Sequence, residues 1–475
     1  MVELHGLVRA AAAGAAPPTV SDRRKVRPLS EVLEGAEHLA ARIRSLSVRE
    51  RPVVVARLPA SVDAVEVLLA AVAGDLTFCF VDPSAAPERV SAIEAALDPD
   101  VVVDSEGLTG RTPTSDGPAS GGYVATSSGS TGGAPKGVLS TWSCLAEFAP
   151  HGAAALRLGP GDRLAEPSHP AYDLSMTNWL LALASGASLV VSSALGDRMR
   201  PLAFLTRARA THVRVAPRFI DLARAERVGS ANPVSLRVWG SGGDRLSHGQ
   251  AEHVFGFGVP TLVNTYGTSE TAGFASAAAF DRSDHLTSRH GSVSIGRGRV
   301  GPWRTAMVQE GDGDDVTEML AVRSPHLGEG YLLGGPSNDL GGDPVYPRWE
   351  TDRVVTGDLG CTAGDDLVCL GRSGRLVKRS GVFVNLDDVD RVLRETTGMD
   401  AITVAIRTGE LVTLAVPAGD GDVDEERVGD LLAAHMSPDS RPDVLVRVDG
   451  IPRLANGKTD HAGALRLAEV AAAGS

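Results

Sequence analysis

Short apolar runs that alternate with helical segments restrict the fold of this chain more than any other feature. The runs have the length of strands, and most end at Pro, Asp or Gly, as in LTFCFVDP (76–83), THVRVAP (211–217) and PTLVNTYG (260–267). Upstream of them, LSEVLEGAEHLAARIRSL (29–46) carries apolar residues at spacings of three and four, which predicts a helix. Strands that alternate with helices predict an α/β fold with parallel or mixed sheets whose faces are covered.

The pattern changes along the chain, and this change predicts more than one domain. At 475 residues the chain is longer than one ordinary domain. Strand-like segments and Gly/Asp turns dominate after residue 300, before DDVDRVLRETTG (387–398) reads as a helix and AITVAIRTGELVTLAVPAG (401–419) as a hairpin. We predict a large N-terminal α/β core with a small β-barrel-like part over residues 1–372, and a small mobile α+β domain over residues 373–475.

Charge and composition exclude several classes of function. The formal net charge is −13 and no basic stretch is longer than SDRRKV (21–26), which argues against nucleic-acid and anionic-membrane partners. The longest apolar stretch, WLLALASGASLVV (179–191), is too short to span a bilayer, and the N-terminus does not resemble a signal peptide. The four cysteines show no CxxC spacing, which argues against a zinc site. We therefore expect a cytoplasmic protein.

A loop rich in glycine and hydroxyl groups is the first candidate for chemistry. The segment TSSGSTGGAPKG (126–137) follows the strand-like GYVAT and contains Lys136. Glycines let backbone N–H groups approach an anion closely, hydroxyls donate further bonds, and the lysine supplies charge. Pro135 before the lysine and Gly137 after it exclude a Walker P-loop. A flexible linker is the alternative, but the flanking segments favour a phosphate site at Ser128, Gly129, Ser130, Thr131, Gly132 and Lys136.

A second candidate lies near the C-terminus, where IPRLANGKTD (451–460) places Lys458 in a Gly-containing turn. A lone lysine in such a turn is usually exposed and has no function. An early phosphate loop together with a late loop lysine instead suggests an active site that is assembled from two domains.

Seven segments, in this order, resemble the motifs of the adenylate-forming superfamily, which includes acyl- and aryl-CoA ligases and the adenylation domains of nonribosomal peptide synthetases. The segments are VDPSAAPERV (81–90), TSSGSTGGAPKGV (126–138), YDLSMTNWLLALASGASLVV (172–191), NTYGTSET (264–271), TGDLG (356–360), GRSGRLVKRSGVFVNLDDVD (371–390) and PRLANGKTD (452–460). The chain most resembles an amino-acid-activating domain, because Asp173 follows an aromatic residue at the position where the family binds the amino group. The resemblance implies that ATP and Mg²⁺ serve to form an aminoacyl-adenylate, which a thiol then attacks.

The resemblance also implies roles for individual residues. Lys458 would bridge the substrate carboxylate and the α-phosphate, and Glu270 with Thr131 would hold Mg²⁺. Tyr266 would stack on adenine, Asp358 would accept hydrogen bonds from the ribose, and Arg372 would lie near the ribose or α-phosphate. The other expected nucleotide contacts are Asn264 at the adenine amino edge, Gly242 and Gly243 on the opposite wall, and Gly267 and Thr268.

The substrate site implied by the resemblance centres on Asp173, which would bind the α-ammonium group. A helix N-cap is the alternative role for this aspartate. The remaining pocket positions, aligned by motif, are Tyr172, Leu174, Thr177, Val215, Trp239, Ser241, Thr265, Gly273 and Phe274. They bring bulk and hydroxyl groups but no second charge, which favours a small or medium uncharged side chain and leaves a β-amino acid open.

Three departures from the family pattern affect these expectations. The phosphate loop has one extra residue near Gly133 and Ala134, Gly374 stands at the hinge position, and Phe383 and Asn385 replace charged residues. Because the chain ends at Ser475, soon after Lys458, we expect a free-standing enzyme of nonribosomal peptide-type secondary metabolism. Its acceptor would be the phosphopantetheine thiol of a separate carrier protein. An acyl- or aryl-CoA ligase and a catalytically silent binding protein are the alternatives.

Overall fold

The computed structural model describes most of the chain, which divides into two compact units between Leu370 and Gly371. The described residues are 3–127, 136–226, 235–310, 316–333, 348–350, 352–379, 382–406, 408–417, 428, 441–453 and 459–474. In this part of the chain, no helix combines the length and the apolar character that crossing a membrane requires.

Helices alternate with strands through most of the larger unit, as the sequence predicts. The described helices of the larger unit are α1 (Leu4–Ala12), α2 (Leu29–Leu46), α3 (Val62–Ala73), α4 (Pro87–Leu97), α5 (Trp142–Ala155), α6 (Asp173–Ser185), α7 (Leu195–Met199), α8 (Pro201–Ala208), α9 (Arg218–Ala225) and α10 (His248–Gly256). Those of the smaller unit are α11 (Leu386–Thr397) and α12 (His461–Gly474). Short 3₁₀ turns span Ser269–Thr271 and Ser373–Arg375.

Most strands are short, and their bounds follow in chain order. They are β1 (Thr19–Ser21), β2 (Val26–Pro28), β3 (Val53–Ala56), β4 (Thr77–Phe80), β5 (Val101–Asp104), β6 (Gly107–Gly110), β7 (Gly122–Ser127), β8 (Lys136–Thr141), β9 (Arg163–Glu166), β10 (Ser188–Val191), β11 (His212–Val215), β12 (Val238–Ser241), β13 (Thr261–Tyr266), β14 (Ser276–Asp281), β15 (Ser288–Arg289), β16 (Ser292–Val293), β17 (Arg299–Val300), β18 (Trp303–Glu310), β19 (Thr317–Arg323), β20 (Gly330–Leu333), β21 (Arg348–Glu350), β22 (Arg353–Ala363), β23 (Asp366–Arg372), β24 (Leu376–Arg379), β25 (Val382–Asn385), β26 (Asp400–Ala405), β27 (Leu411–Val416) and β28 (Val444–Arg447).

Two mixed sheets form the centre of the larger unit. Over the described residues, the first has the strand order β14-β13-β12-β11-β9-β10-β1-β2 and the second β20-β8-β7-β4-β3-β5-β6. Pairing is parallel from β13 to β1 in the first sheet and antiparallel at its edges. The largest hydrophobic cluster contains side chains from both sheets together with residues of α2, α3, α5 and α6. The predicted α/β core is therefore confirmed.

The two faces of the first sheet pack against different clusters. Val213, Val215 and Trp239 belong to a second cluster, which contains residues of α8, α9 and α10. Val238 and Val263 belong instead to the largest cluster. Because side chains alternate along a strand, neighbouring residues of β11 and β12 face different surroundings. This alternation decides which side chains can reach a site beside α6.

The smaller unit is an α+β domain with its own core. Strands β24 and β25 pair as a hairpin, and β26-β27-β28 form a sheet within the described residues. One cluster joins α11 to this sheet, and another joins α12 to it. Arg375, at the start of the unit, is 7% exposed and donates from Nε to Asp387 at 2.8 Å, while Nη2 pairs with Asp390 and Nη1 donates to the Thr403 carbonyl.

Replacing Arg375 should weaken this unit strongly. In Arg375→Met the buried carboxylate of Asp390 loses its partner, so we expect the free energy of unfolding to fall by about 3 kcal/mol. Denaturant unfolding followed by limited proteolysis at the C-terminal unit measures the loss. Arg466→Met is the matched control, because the Arg466 side chain is 68% exposed and its ion pair with Asp460 is long, with 3.9 Å between Nη2 and Oδ2. Equal losses in the two variants would contradict the anchoring role.

Candidate active site

A small cavity of about 40 Å³ lies where the first sheet meets the N-terminus of α6. Its lining includes residues at or just after the carboxyl ends of the parallel strands β11, β12 and β13. In sheets of this kind, ligands usually bind at the carboxyl ends of the strands. Seven of the predicted site residues line it: Asp173, Leu174, Thr177, Gly243, Gly267, Thr268 and Gly273.

Asp173 is the first residue of α6, and its carboxylate lies at the positive end of the helix dipole. Its Oδ1 accepts a hydrogen bond from the Leu174 N–H at 2.8 Å, and its Oδ2 accepts one from the Ser269 hydroxyl. Tyr172, rather than Asp173, occupies the N-cap position. The geometry therefore holds a carboxylate at the cavity wall, beside the segment that follows β13.

Three of the predicted nucleotide residues lie on β13 and β22. The Tyr266 hydroxyl is 2.8 Å from Asp358 Oδ2 and 2.8 Å from the Thr356 hydroxyl, and all three residues are buried. Burial raises the pKa of Tyr266 well above its usual range, so the phenol stays protonated. Asn264 Nδ2 donates to the backbone carbonyls of Val293 at 3.2 Å and Ser294 at 3.0 Å, which fixes the amide with Oδ1 as its acceptor.

Two glycines permit the close backbone packing around this region. A Cβ at Gly267 would lie 2.2 Å from the Gly273 carbonyl oxygen, and a Cβ at Gly242 would lie 2.3 Å from Thr265 Oγ1. Real Cβ atoms do not approach other atoms so closely, so a side chain at Gly267 would displace the backbone and a side chain at Gly242 would displace the Thr265 hydroxyl. Gly243 has a φ of +75°, which also favours glycine.

Glu270, the predicted magnesium ligand, lies in the 3₁₀ turn after β13 and is 6% exposed. Its Oε1 accepts a hydrogen bond from the Tyr331 hydroxyl at 2.8 Å. Among the described residues, no three metal-binding side chains gather in one place. A single carboxylate still fits Mg²⁺, which typically takes one or two carboxylates together with phosphate oxygens and water.

Several predicted residues lie outside the described residues. These are Lys458 and the loop residues Ser128, Gly129, Ser130, Thr131 and Gly132, together with the side chain of Lys136. The residues that flank them are described: Ser127 pairs with Lys136 between β7 and β8, and Arg453 pairs with Thr459. In the smaller unit, Arg372 ends β23 and is exposed, and a Cβ at the exposed Gly374 would meet no atom within 4 Å.

The predicted substrate positions on β11 and β12 need correction. Trp239 packs against Phe219 and Phe257, with ring centroids 6.1 and 5.8 Å apart, and Val215 belongs to the same cluster. Ser241 pairs with Val215 across the two strands and shares its face. The motif alignment expected Val215 and Trp239 at the substrate site, whereas both pack into this cluster and neither lines the cavity.

Among the described residues of β11 and β12, the side chain that reaches the cavity is that of Arg214. Arg214 lines the cavity, and Gly240 pairs with it on the same face. Two of the three predicted hydroxyls are already bonded within the protein, because Thr177 donates to the Asp173 carbonyl and Thr265 donates to the Ser241 carbonyl at 2.8 Å. The buried Ser241 Oγ has no hydrogen-bond partner among the described residues. Phe274, predicted as a bulky wall of the pocket, lies with its ring centroid 4.7 Å from Arg214 Cζ.

Arg214 contradicts the expectation that the site carries no second charge. It is 5% exposed, its Nε donates to Thr265 Oγ1 at 3.1 Å, and its Nη1 donates to Asn178 Oδ1 at 3.1 Å. Burial lowers the pKa of Arg214 to about 10, so it remains a cation at neutral pH. A charged residue inside the apolar run THVRVAP was the signal that the sequence offered for it.

Asn178 links Arg214 to a buried carboxyl group. Its Nδ2 donates to Glu166 Oε2 and, at 2.7 Å, to the backbone carbonyl of Arg214. Burial raises the pKa of Glu166 from its ordinary 4.5 to about 7. The native state therefore holds this proton more tightly than the unfolded chain does. The stability that this group contributes is full below its unfolded pKa and is lost as the pH rises through 7.

Glu166→Gln should remove this part of the pH dependence. Between about pH 5 and pH 8, the free energy of unfolding of the native protein should fall by about 2 kcal/mol more than that of the variant. Denaturant unfolding at both pH values measures the difference, and the slope with pH is the readout. Glu31→Gln, at a position 60% exposed, is the control and should keep the native slope. A Glu166→Gln slope equal to the native one would show that Glu166 does not titrate in this range.

The chain is similar to known proteins over much of its length. A family model described as AMP-binding enzyme matches residues 104–332. Novobiocin biosynthesis protein H of Streptomyces niveus is 29% identical over 402 residues, which cover 79% of this chain and 61% of that protein. The probable non-canonical nonribosomal peptide synthetase CymA of Salinispora arenicola is 28% identical over 433 residues, which cover 86% of this chain and 5% of that protein. The chain thus spans less than two thirds of the length of either relative.

Solved structures match the chain over nearly its whole length. The anthranilate CoA ligase AuaEII in complex with anthranoyl-AMP has a TM-score of 0.82 at 17% identity and covers 99% of this chain and 98% of its own. IdnL7 has a TM-score of 0.79 at 21% identity and covers 100% of this chain and 99% of its own. These likenesses show the fold. The match to the AMP-binding enzyme family over residues 104–332 and the similarity to these relatives agree with the sequence resemblance to the adenylate-forming superfamily.

Proposed function

We propose that this chain activates an amino acid with ATP as an aminoacyl-adenylate and transfers it to the phosphopantetheine thiol of a carrier protein. The observation that carries the proposal is the Asp173 carboxylate at the cavity wall, hydrogen-bonded to Ser269. A carboxylate at a small-molecule site is costly unless it meets a cation, and an α-ammonium group is such a cation. The similarity to nonribosomal peptide synthetases supports an amino acid substrate.

The described residues supply a nucleotide site of matching chemistry. The carboxylate of Asp358, held by Tyr266, is a natural acceptor for ribose hydroxyls. The Asn264 amide has both Nδ2 hydrogens bonded to backbone carbonyls, so its Oδ1 can accept from the adenine amino group. Glu270 would hold Mg²⁺, which supplies positive charge at the phosphate oxygens when it is bound. The proposed roles of Lys458, Thr131 and the phosphate loop rest on the sequence.

The proposed reaction has two balanced steps. In the first, a carboxylate oxygen of the amino acid attacks the α-phosphorus of ATP, the bond to the β-phosphate oxygen breaks, and pyrophosphate leaves. In the second, the carrier thiol attacks the adenylate carbonyl and loses its proton to solvent, a thioester forms, and AMP leaves. The residues of the chain contribute by position and charge, because Asp173 fixes the amino end of the substrate while the reacting carboxylate is left free.

Pyrophosphate exchange across a panel of acids tests the proposal. Purified protein with ATP and Mg²⁺ is supplied with L-, D- and β-amino acids, benzoates and fatty acids. We expect exchange only with acids that carry an amino group. Exchange with a simple benzoate or fatty acid, followed by its transfer to coenzyme A, would favour the CoA ligase alternative. Exchange with no acid at all would contradict the proposed activity.

A further inference from the structure

The buried guanidinium of Arg214 has no carboxylate partner within the described part of the chain. Among the described residues, neither Asp173 nor Glu166 forms an ion pair with it, and both act on it only as nearby charges that raise its pKa. A buried cation is costly unless a paired and hydrogen-bonded anion compensates it. The described hydrogen bonds of Arg214 therefore leave its positive charge without a directly paired anion.

The guanidinium is also held in one orientation. Nε is bonded to Thr265, Nη1 is bonded to Asn178, and one face of the group lies over the Phe274 ring. Of the five N–H donors of an arginine, only these two have a partner among the described residues, and both donors of Nη2 remain. Because the protein already holds the guanidinium donors in place, less conformational entropy is lost when they bind a carboxylate.

Two glycines keep the space around this side chain open. A Cβ at Gly240 would lie 2.9 Å from Arg214 Cβ, and a Cβ at Gly242 would lie 3.4 Å from Arg214 Nη2. Arg214 itself lines the cavity that Asp173 borders. A cation and an anion thus border one cavity without forming an ion pair with each other, which is the arrangement that a ligand with both charges would need.

We propose that Arg214 binds a second carboxylate of the substrate, so that the activated amino acid has an acidic side chain. The inference rests on the proposed function and specifies its substrate class. Asp173 binds the ammonium group, Arg214 binds the side-chain carboxylate through its free donors, and the remaining carboxylate reacts with ATP. A role confined to the protein interior, as a link between Asn178 and Phe274, would not require donors that have no acceptor among the described residues.

The test compares acids with their isosteric amides in pyrophosphate exchange. The native protein is measured with L-aspartate and L-asparagine and with L-glutamate and L-glutamine. In at least one pair, kcat/KM for the acid should exceed that for the amide by about 100-fold, the scale of a buried charge pair. Arg214→Met should reduce this ratio to about 1, and Arg214→Lys should keep part of it because it keeps the charge without the fork. Arg299→Met, at an exposed strand position, should leave the ratio unchanged.

The ratio separates the inference from its alternatives. A purely structural arginine would lower exchange with all substrates equally and leave the ratio intact, which would overturn the inference. A native protein that prefers an uncharged amino acid would also overturn it, while the proposed function would stand. If no amino acid supports exchange, the proposed function itself fails. Should Arg214→Met not fold, an unchanged acid-to-amide ratio in Arg214→Lys would still count against the inference.

Discussion

Asp173→Ala is expected to abolish activation of amino acids. The variant removes the carboxylate that lies at the cavity wall beside Ser269, so an ammonium group entering the site would lose its water without gaining an anion. Leaving one member of such a pair unpaired costs about 3–5 kcal/mol, which corresponds to a loss of about two to four orders of magnitude in kcat/KM. Pyrophosphate exchange with the preferred amino acid measures the loss.

A substrate without its amino group provides the complementary measurement. With the deamino analogue of the preferred amino acid, Asp173→Ala should be at least as active as the native protein, because no ammonium group needs a partner. Asp63→Ala is the matched control, since Asp63 also lies in the first turn of a helix but is 57% exposed. If Asp173→Ala lowers exchange equally with the amino acid and with its deamino analogue, Asp173 is a structural residue of α6.

Lys458→Ala is expected to remove adenylate formation while it leaves the fold and nucleotide binding intact. The lysine lies in the Gly-containing segment between Arg453 and Thr459, whose pairing is described although Lys458 itself is not. A charge that acts on the reacting carboxylate and the α-phosphate works mainly in the transition state, so its loss should lower kcat by about 100-fold or more. Exchange kinetics and ATP affinity separate the two effects.

Three further measurements make this expectation specific. Lys458→Arg should restore little activity, because a planar guanidinium does not replace a compact ammonium group at a crowded phosphate. Lys25→Ala, at an exposed position paired with Asp63, should retain native exchange. Transfer from a chemically supplied adenylate to a thiol should survive in Lys458→Ala. Undiminished exchange in this variant would exclude the proposed role.

Much of the fold could be predicted because its periodicity is strong. The helix predicted over 29–46 is α2, and the segment 387–398 differs by one residue at each end from α11. The hairpin predicted over 401–419 contains the antiparallel pair β26 and β27. Strand order could not be predicted, because pairings such as Val20 with Leu189 join short strands far apart in the chain. Such pairings depend on tertiary packing, which local patterns do not encode.

The site was predictable where motifs mark it and less so where strand register decides. Asp173 and Gly273, which the motif alignment predicted as substrate positions, line the cavity, and so does Gly267, which it predicted as a nucleotide contact. The error on β11 arose because a shift of one residue along a strand moves every side chain to the other face. Val215 therefore took the place of Arg214. Alternation within THVRVAP could have shown that the arginine faces away from the neighbouring valines.

The central claim is that a substrate carboxylate attacks the α-phosphorus of ATP, and an isotope experiment tests it most directly. The preferred amino acid is labelled with ¹⁸O in the reacting carboxylate, and AMP and pyrophosphate are analysed by mass spectrometry after a thiol has accepted the acyl group. The account predicts that AMP gains one ¹⁸O atom and that pyrophosphate gains none. Unlabelled AMP, or label found in phosphate or pyrophosphate, would contradict it.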